Sequence, residues 1–313
     1  MPSAIRTENL GKTYLSGFFQ RPFEGLKALS IEVPEGVSYG FVGPNGAGKT
    51  TTIKTLMGLQ RATAGAAWLF GIPIDRPESR SKVGFMPERP YFYEHLTAWE
   101  FMDFYARLSE VPSGIRTARI ATLLERVGLE RFRNVPLGKF SKGMLQRAGI
   151  AQALVADPAL LVLDEPMSGL DPLGRVMVRD IILEERHRGK TVFFSSHILS
   201  DVEAICDRVA IVVAGTLRGE GTLPELIGDA VRTVDITYRG GMDLPGAEVL
   251  RRDSDSCTVR VPREHQDRVC RAVIEANGSL LEVHRNTRTL EDVLLTEVEA
   301  ARLVNETRLG VLA

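Results

Sequence analysis

The sequence predicts an α/β fold with an inserted helical segment, followed by a small α+β domain. Residues 37–57 run from strand to glycine-rich loop to helix, which is the order of a phosphate-binding α/β unit. Between residues 96 and 158 apolar residues recur at helical spacing. Composition shifts near residue 228, and shorter patterns follow. We therefore expect two domains, residues 1–228 and 229–313, with a helical subdomain at about 96–158 in the first.

The composition is that of an ordinary globular protein. The 313 residues are 44% hydrophobic and 25% charged, with a net charge of −1, so we expect no nucleic-acid partner. No run of 18 uncharged apolar residues and no signal peptide is present. If the protein works at a membrane, another chain must supply the spans. Cys206, Cys257 and Cys270 lack metal-ligand spacing and suit reduced cytosolic thiols.

The first elements surround the glycine-rich loop. Strands are predicted at residues 31–33 and 37–42, with a turn between them. A helix should begin within residues 46–58 and place Ile53, Leu56 and Met57 on one face.

The helical segment opens with Thr97 and Glu100, which have the spacing of a capping box. Two more helices are predicted at about 115–127 and 142–155. Strands should then return at residues 160–163, 191–194 and 209–213.

The last 85 or so residues predict a small α+β domain. Strands are expected around Val234–Tyr238 and at residues 258–261 and 280–283. Between the last two, a helix should place Val269, Val273 and Ile274 on one face. A final helix should begin at Thr289, with Asp292 three residues on.

The glycine-rich loop matches the pattern G-x-x-x-x-G-K-[ST] and predicts nucleotide binding. Its members are Gly43, Pro44, Asn45, Gly46, Ala47, Gly48, Lys49 and Thr50, followed by Thr51. Glycines let backbone amides converge on phosphate oxygens, and the helix N-terminus favours negative charge. Lys49 should reach the β- and γ-phosphates, and the Thr50 hydroxyl should bind Mg²⁺. The alternative, an ordinary glycine-rich turn, is disfavoured because chance matches are rare.

A second motif is the apolar strand that ends in Asp164 and Glu165. At the carboxyl end of a buried strand, Asp164 would lie beside the phosphate loop and bind the metal ion. Glu165 would then polarise the attacking water. Two exposed acids in a turn are the alternative for an isolated pair.

Three further motifs narrow the class. FSKGMLQR at 140–147 precedes the acidic strand, SGLD at 168–171 follows it, and SSH ends at His197. With these motifs, residues 4–225 resemble the ATP-binding subunits of ABC transporters. The resemblance implies that Ser141 and Gly143 contact the γ-phosphate held by the opposite subunit. It also implies that Asp171 lies at the dimer seam and that His197 reaches the γ-phosphate.

The chain departs from the family pattern in places. Tyr14 occupies the position where the family stacks an aromatic ring on adenine, but Phe18, Phe19 or Phe23 in the following insertion could stack instead. Glu88 stands where the family has a glutamine, and we expect it to keep a metal-sensing role. The signature carries Lys142 and Met144, although Ser141 and Gly143 are kept.

The C-terminal TLEDVLL segment, residues 289–295, resembles the extension of the ABC-2-type exporter subfamily. A generic dimerisation or regulatory domain is the alternative. The resemblance implies ATP and Mg²⁺ as ligands, a homodimer, an integral membrane permease as partner, and a cytoplasmic place on the inner face of the cell membrane. The permease would dock near Arg89 and Tyr91–Tyr93, unless those residues only pack locally. Other readings are an ABC-type ATPase in DNA repair or translation, and a regulatory module that no longer hydrolyses ATP.

Overall fold

The computed structural model describes residues 2–308 apart from 17–20, 229–230, 241–243, 245 and 288. Phe18 and Phe19, two of the alternative stacking residues, therefore lie outside the described residues. The chain divides into two compact units. One comprises Met1–Leu223 with Thr296–Ala313, and the other comprises Pro224–Leu295. The division predicted at residue 228 stays a prediction.

The centre of the larger unit is a six-stranded sheet in the order β11-β10-β4-β9-β8-β7. All neighbours are parallel except β11, which is antiparallel to β10. Its strands are β4 (Ser38–Val42), β7 (Val83–Met86), β8 (Leu160–Asp164), β9 (Thr191–Ser196), β10 (Arg208–Val213) and β11 (Thr216–Gly221). Every residue of β4, β8 and β9 is buried, as near-continuous apolar runs in a covered parallel sheet should be. The strands predicted at 37–42, 160–163, 191–194 and 209–213 are confirmed.

A second, antiparallel sheet covers the first through a shared core. Its strands are β1 (Ser3–Ser16), β2 (Arg21–Leu29), β3 (Glu32–Pro34), β5 (Ala64–Leu69) and β6 (Ile72–Pro73). Their order is β2-β1-β5-β6, with β3 paired to β1. One apolar cluster joins both sheets to the first helix, with Ile5 and Leu69 from this sheet, Phe41 and Val162 from the other, and Ile53 from the helix.

The helices that the structure describes up to residue 227 are α1 (Lys49–Leu56), α2 (Ala98–Leu108), α3 (Ser113–Arg126), α4 (Lys142–Leu154), α5 (Pro172–His187), α6 (Leu199–Ile205) and α7 (Leu223–Ile227), the last lying at the unit boundary. Four of them, α1 to α4, were predicted, whereas α5, α6 and α7 were not. Thr97 and Glu100 form the predicted capping box of α2. Helix α4 packs on β7 and β8, and also on α2 and α3. The inserted helices are thereby attached to the strands that carry the acidic motif.

A buried charge cluster joins α3 to α5. The Glu185 side chain is fully buried and pairs with Arg126 (2.8 Å), Lys190 (2.6 Å) and Arg188 (3.3 Å). Burial opposes the charged form, but hydrogen bonds from Lys190 and Arg126 still hold the pKa of Glu185 below its usual value. The cluster is a satisfied buried carboxylate that ties the inserted helices to the sheet-bearing core.

The smaller unit contains a four-stranded antiparallel sheet in the order β13-β14-β12-β15. Its elements are β12 (Val231–Arg239), β13 (Glu248–Arg252), β14 (Cys257–Pro262), α8 (Gln266–Glu275), β15 (Ser279–Thr287) and the start of α9 (Leu290–Arg308). Val234, Ile236 and Tyr238 are buried, as their alternation predicts.

One prediction for α8 is wrong. Val269 and Val273 are buried, but Ile274 is 60% exposed. At about 100° per residue, positions 269 and 273 share a face, while position 274 is rotated well away from it. The α9 cap is as predicted, because Thr289 and Asp292 exchange hydrogen bonds.

Among the described residues, no helix combines the length and apolarity needed to cross a membrane.

Candidate functional site

The site is built on the loop between β4 and α1. Gly46 has φ 79° and Gly48 has φ 104°, backbone conformations that side chains disfavour. A Cβ atom at Gly43 would lie 2.1 Å from the Val212 carbonyl oxygen. Glycine at positions 43, 46 and 48 is therefore required by the path of the chain, as well as by the ligand that such a loop accepts.

Lys49 lies at the start of α1 and is buried, with 7% of its side chain exposed. Its Nζ donates to the carbonyl oxygens of Gly43 (2.7 Å) and Pro44 (3.3 Å). The same atom lies 3.5 Å from Glu165 Oε1. Lys49 therefore places a buried positive charge beside the loop, within ion-pair distance of the Glu165 carboxylate.

Asp164 ends β8 and is 1% exposed. Its Oδ1 accepts hydrogen bonds from Ser195 Oγ (2.6 Å) and Thr50 Oγ1 (3.3 Å). Burial raises the pKa of this carboxyl, against the lowering effect of those two hydrogen bonds. Within the described part of the chain Asp164 forms no salt bridge.

A buried carboxylate without a cationic partner, beside a hydroxyl, is a donor set of hard oxygens that suits Mg²⁺. Asp164 at the end of β8 and Thr50 at the start of α1 therefore fit the ion. No group of three His, Cys, Asp or Glu side chains among the described residues could hold a metal alone, which is compatible with an ion that also binds phosphates.

Glu165 follows Asp164 and is nearly buried, with 11% of its side chain exposed. Its Oε2 lies 2.7 Å from Nδ1 of His197, whose side chain is 47% exposed. The backbone of Glu165 has φ 51°, which costs a residue other than glycine about 1–3 kcal/mol and needs support from its surroundings. The carboxylate is therefore held between the lysine of the loop and the histidine at the end of β9.

These side chains line one cavity of about 380 Å³. It is lined by Phe23, Gly25, Asn45, Gly46, Ala47, Gly48, Lys49, Thr50, Thr51, Glu88, Glu165, Ser168 and His197. Most of the predicted loop, the predicted base and the predicted switch histidine thus come together. Glu88 also lies here, 44% exposed, although its predicted metal contact is untested. Ser168 belongs to the SGLD motif but was not predicted to line the site.

Of the aromatic stacking candidates that the structure describes, Phe23 lines this cavity and Tyr14 does not. Tyr14 and Phe23 are cross-strand partners in β1 and β2. The Tyr14 hydroxyl is hydrogen-bonded to Gln60 Oε1 (2.9 Å) and Thr51 Oγ1 (3.2 Å), and Lys12 Nζ lies 5.3 Å from the ring centroid. Phe23 is 58% exposed. The geometry favours the alternative that the insertion offered, because Phe23 has the free ring.

Seven of the predicted site residues do not line this cavity. Tyr14, Gly43, Pro44 and Asp164 are bonded to residues that do line it, whereas Ser141, Gly143 and Asp171 belong to α4 and the cap of α5. Ser141 is exposed and caps α4, accepting a hydrogen bond from the Met144 amide (3.2 Å). Gly143 lies in the first turn of the same helix. Asp171 caps α5 through the Gly174 amide (2.9 Å). None lines the phosphate cavity of its own chain, which is the arrangement expected if they serve a second copy.

Comparison with known proteins assigns the family. The family model described as ABC transporter matches residues 26–168. An uncharacterized ABC transporter ATP-binding protein of Synechocystis is 41% identical over 303 residues, covering 95% of this chain and 85% of that protein. The bacitracin transport ATP-binding protein of Bacillus licheniformis is 41% identical over 223 residues, covering 70% of each chain.

A solved structure agrees with this assignment. The dimeric post-hydrolysis state of the ATP-binding cassette MJ0796, bound to ADP and Pi, superposes with a TM-score of 0.65. It is 25% identical and covers 70% of this chain and 98% of that one. With the phosphate loop, the acidic strand and the ordered motifs all in place, the chain belongs to the ABC transporter family as an ATP-binding and ATP-hydrolysing subunit.

Proposed function

We propose that the chain hydrolyses Mg²⁺-ATP as one half of a homodimer and drives an integral membrane permease, as the cytoplasmic ATPase of an exporter on the inner face of the membrane. The observation that carries this proposal is the position of Glu165 between Lys49 and His197 over the phosphate loop. It is supported by the family assignment and by the relative whose name records bacitracin transport.

The chemistry follows from the positions of the side chains. The loop amides and Lys49 would bind the β- and γ-phosphates. Thr50 and Asp164 would hold Mg²⁺, which supplies charge stabilisation to the phosphoryl group. Glu165 would accept a hydrogen bond from the attacking water and orient it towards the γ-phosphate. His197, hydrogen-bonded to Glu165, would orient that carboxylate and reach the same phosphate.

The site is completed by a second copy. Ser141 and Gly143 stand at the exposed start of α4, outside their own cavity. In a dimer with two-fold symmetry, each chain would place these residues over the ATP held by its partner. Asp171 would then lie at the seam. This arrangement makes both ATP sites depend on both chains.

The adenine would stack on Phe23 in preference to Tyr14. Stacking requires an accessible ring face, and Phe23 is the cavity-lining aromatic residue that is 58% exposed. Tyr14 would then support the loop through Thr51 and Gln60.

The permease would dock at the segment after Glu88. Arg89 is 93% exposed and Tyr91 is 87% exposed. Phe92 packs on Phe101 of α2 (ring centroids 5.2 Å apart), so part of this segment does serve local packing. Tyr93 and its neighbours line a groove of about 540 Å³ beside α4. An exposed tyrosine and arginine at the rim of a groove have the composition of a protein interface.

The direction of transport rests on the C-terminal unit. Residues 289–295 resemble the extension of ABC-2-type exporters, and Thr289 caps α9 there. A domain boundary near residue 228, with an accessory domain at 229–313, is part of the same proposal.

A mixing experiment tests the shared site. Lys49→Ala removes one phosphate contact, and Ser141→Arg blocks the signature, so each variant alone should be inactive. A heterodimer of the two keeps one site in which an intact loop meets an intact signature. Random pairing should then restore up to about a quarter of wild-type ATPase activity. If mixing restores nothing although the variants co-purify, the sites are not shared and the proposal is wrong.

A further inference from the structure

We propose that Gln146 and Ser195 are positioning residues for hydrolysis, because together they hold the backbone of Glu165 in its left-handed conformation. The inference rests on the proposed role of Glu165 as the group that orients the attacking water. It adds two residues that act on the reaction through Glu165 and not by contact with ATP.

The need for such support comes from the Glu165 backbone. Its φ of 51° lies in a region that residues other than glycine avoid. Residues in such conformations persist when surrounding contacts fix them, and they concentrate at functional sites. The direction of the Glu165 carboxylate follows from this backbone conformation. If Glu165 relaxed to a common conformation, its carboxylate would leave the position between Lys49 and His197.

Gln146 fixes the carbonyl side of this residue. The side chain is buried, with 3% exposed. Its Nε2 donates to the carbonyl oxygen of Glu165 (3.0 Å) and to that of Pro166 (3.1 Å). One amide group thereby uses both of its hydrogens on two consecutive carbonyls after the acidic strand. The contact reaches from the inserted helix α4 to the catalytic segment.

Ser195 fixes the amide side of the same residue. Its Oγ accepts a hydrogen bond from the Glu165 amide (2.9 Å) and donates one to Asp164 Oδ1 (2.6 Å). The hydroxyl is fully buried in β9. The Ser195 hydroxyl thus donates to one residue and accepts from the next. It connects Asp164, the proposed metal ligand, to the backbone of Glu165, the proposed base.

The arrangement also links Glu165 to the signature. Helix α4 begins at the Ser141 cap and carries Gln146 in its second turn. A shift of α4 along or away from β8 would therefore lengthen or break the hydrogen bond from Gln146 to the Glu165 carbonyl. The Glu165 carbonyl also accepts a hydrogen bond from the Ser168 amide (3.1 Å), so Gln146 supplies the one side-chain donor to this carbonyl among the hydrogen bonds of the described residues.

The test is Gln146→Met, which keeps the length of the side chain but removes both donated hydrogen bonds. We expect kcat for ATP hydrolysis to fall about 10–10²-fold, because small misplacements of a catalytic group cost up to about 10²-fold in rate. The Kd for ATP should change less than twofold, since Gln146 does not line the ATP cavity. The variant should accumulate an ATP-bound dimer on size-exclusion chromatography.

The matched control is Ile150→Val in the same helix, fully buried. It should lower the melting temperature while leaving kcat near the wild-type value. Ser195→Ala is the second variant and should also lower kcat selectively. If Gln146→Met keeps wild-type kcat, or loses kcat and ATP affinity in equal proportion, Gln146 is a packing residue and the inference is wrong. If Glu165→Gln itself keeps full turnover, the proposed role of Glu165 fails instead.

Discussion

Replacing Glu165 by glutamine is the most direct perturbation of the site. The amide keeps the size of the side chain but removes its charge, and so weakens its ability to accept a proton from water. The 3.5 Å ion pair with Lys49 Nζ is lost, while the hydrogen bonds of Lys49 to the Gly43 and Pro44 carbonyls do not involve Glu165. A general base contributes about 10²–10⁴-fold to a rate. That range corresponds to about 3–5 kcal/mol of the activation barrier.

The assay is phosphate release at saturating Mg²⁺-ATP, together with nucleotide binding and dimer formation measured on the same preparation. We expect kcat to fall by that factor, ATP to bind at least as well as in the wild type, and the ATP-bound dimer to persist. Glu78→Gln, which changes an exposed carboxylate that does not line the cavity, is the control and should leave all three values unchanged. Turnover within twofold of wild type for Glu165→Gln would refute the assignment of Glu165 as the base.

Five other substitutions test separate parts of the reasoning. Lys49→Ala should abolish nucleotide binding in equilibrium dialysis, because it removes the buried charge of the loop. Glu88→Ala should shift the Mg²⁺ concentration that gives half-maximal ATPase activity, and an unchanged Mg²⁺ dependence would exclude a metal-sensing role. Phe23→Ala should raise the KM for ATP by about 5- to 150-fold, given about 1–3 kcal/mol per stacked base, whereas Tyr14→Ala should act mainly on stability. Glu185→Gln should lower the free energy of unfolding by about 1.5–3 kcal/mol in urea at pH 7, because the buried side chain loses its charge-assisted hydrogen bonds to Arg126 and Lys190. Since the folded-state pKa of Glu185 is lowered, its contribution is present above its ordinary pKa of about 4.3 and the difference from wild type should narrow at lower pH.

The core of the fold could be predicted because its signals are local. The apolar strands 38–42 and 160–164 stand next to the loop and the acidic pair, and their burial on both faces gives them continuous apolar runs. The long hairpin of β1 and β2 was not predicted as such, because its pairing depends on register between distant residues. For the same reason the sequence does not show that Tyr14 and Phe23 are cross-strand partners or that Phe23 is 58% exposed, and the stacking residue stays a prediction. Ile274 was predicted on the buried face of α8, but it follows Val273 directly, and the turn of about 100° per residue carries it off that face.

The site shows the same division between local and tertiary information. The loop, the proposed base and the proposed switch histidine each stand in a contiguous motif, and they could be recognised because the motifs follow one another in order. Gln146 lies in the signature motif and Ser195 in the SSH motif, so both residues belong to motifs that the sequence analysis identified. Their shared contact with the Glu165 backbone could not be predicted. A hydrogen bond to the Glu165 carbonyl cannot be inferred from spacing, because it depends on how α4 packs against β8. Nor does the sequence show that Glu165 has a left-handed backbone, since no glycine marks the position.

This packing gives α4 two roles that belong to different ATP sites. Its first turn carries Ser141, which is proposed to close over the ATP of a second copy, and its second turn carries the Gln146 amide that holds Glu165 over the chain's own ATP. If α4 moves as a rigid helix, contact of Ser141 with the partner's ATP must shift Gln146. That shift would change the position of Glu165 at the chain's own ATP site. Hydrolysis at each site would then respond to occupancy of both, without any further element. It follows that Gln146→Met should lower the cooperativity of ATP hydrolysis in homodimers with two intact loops, measured as the Hill coefficient for ATP, whereas Ile150→Val should preserve it.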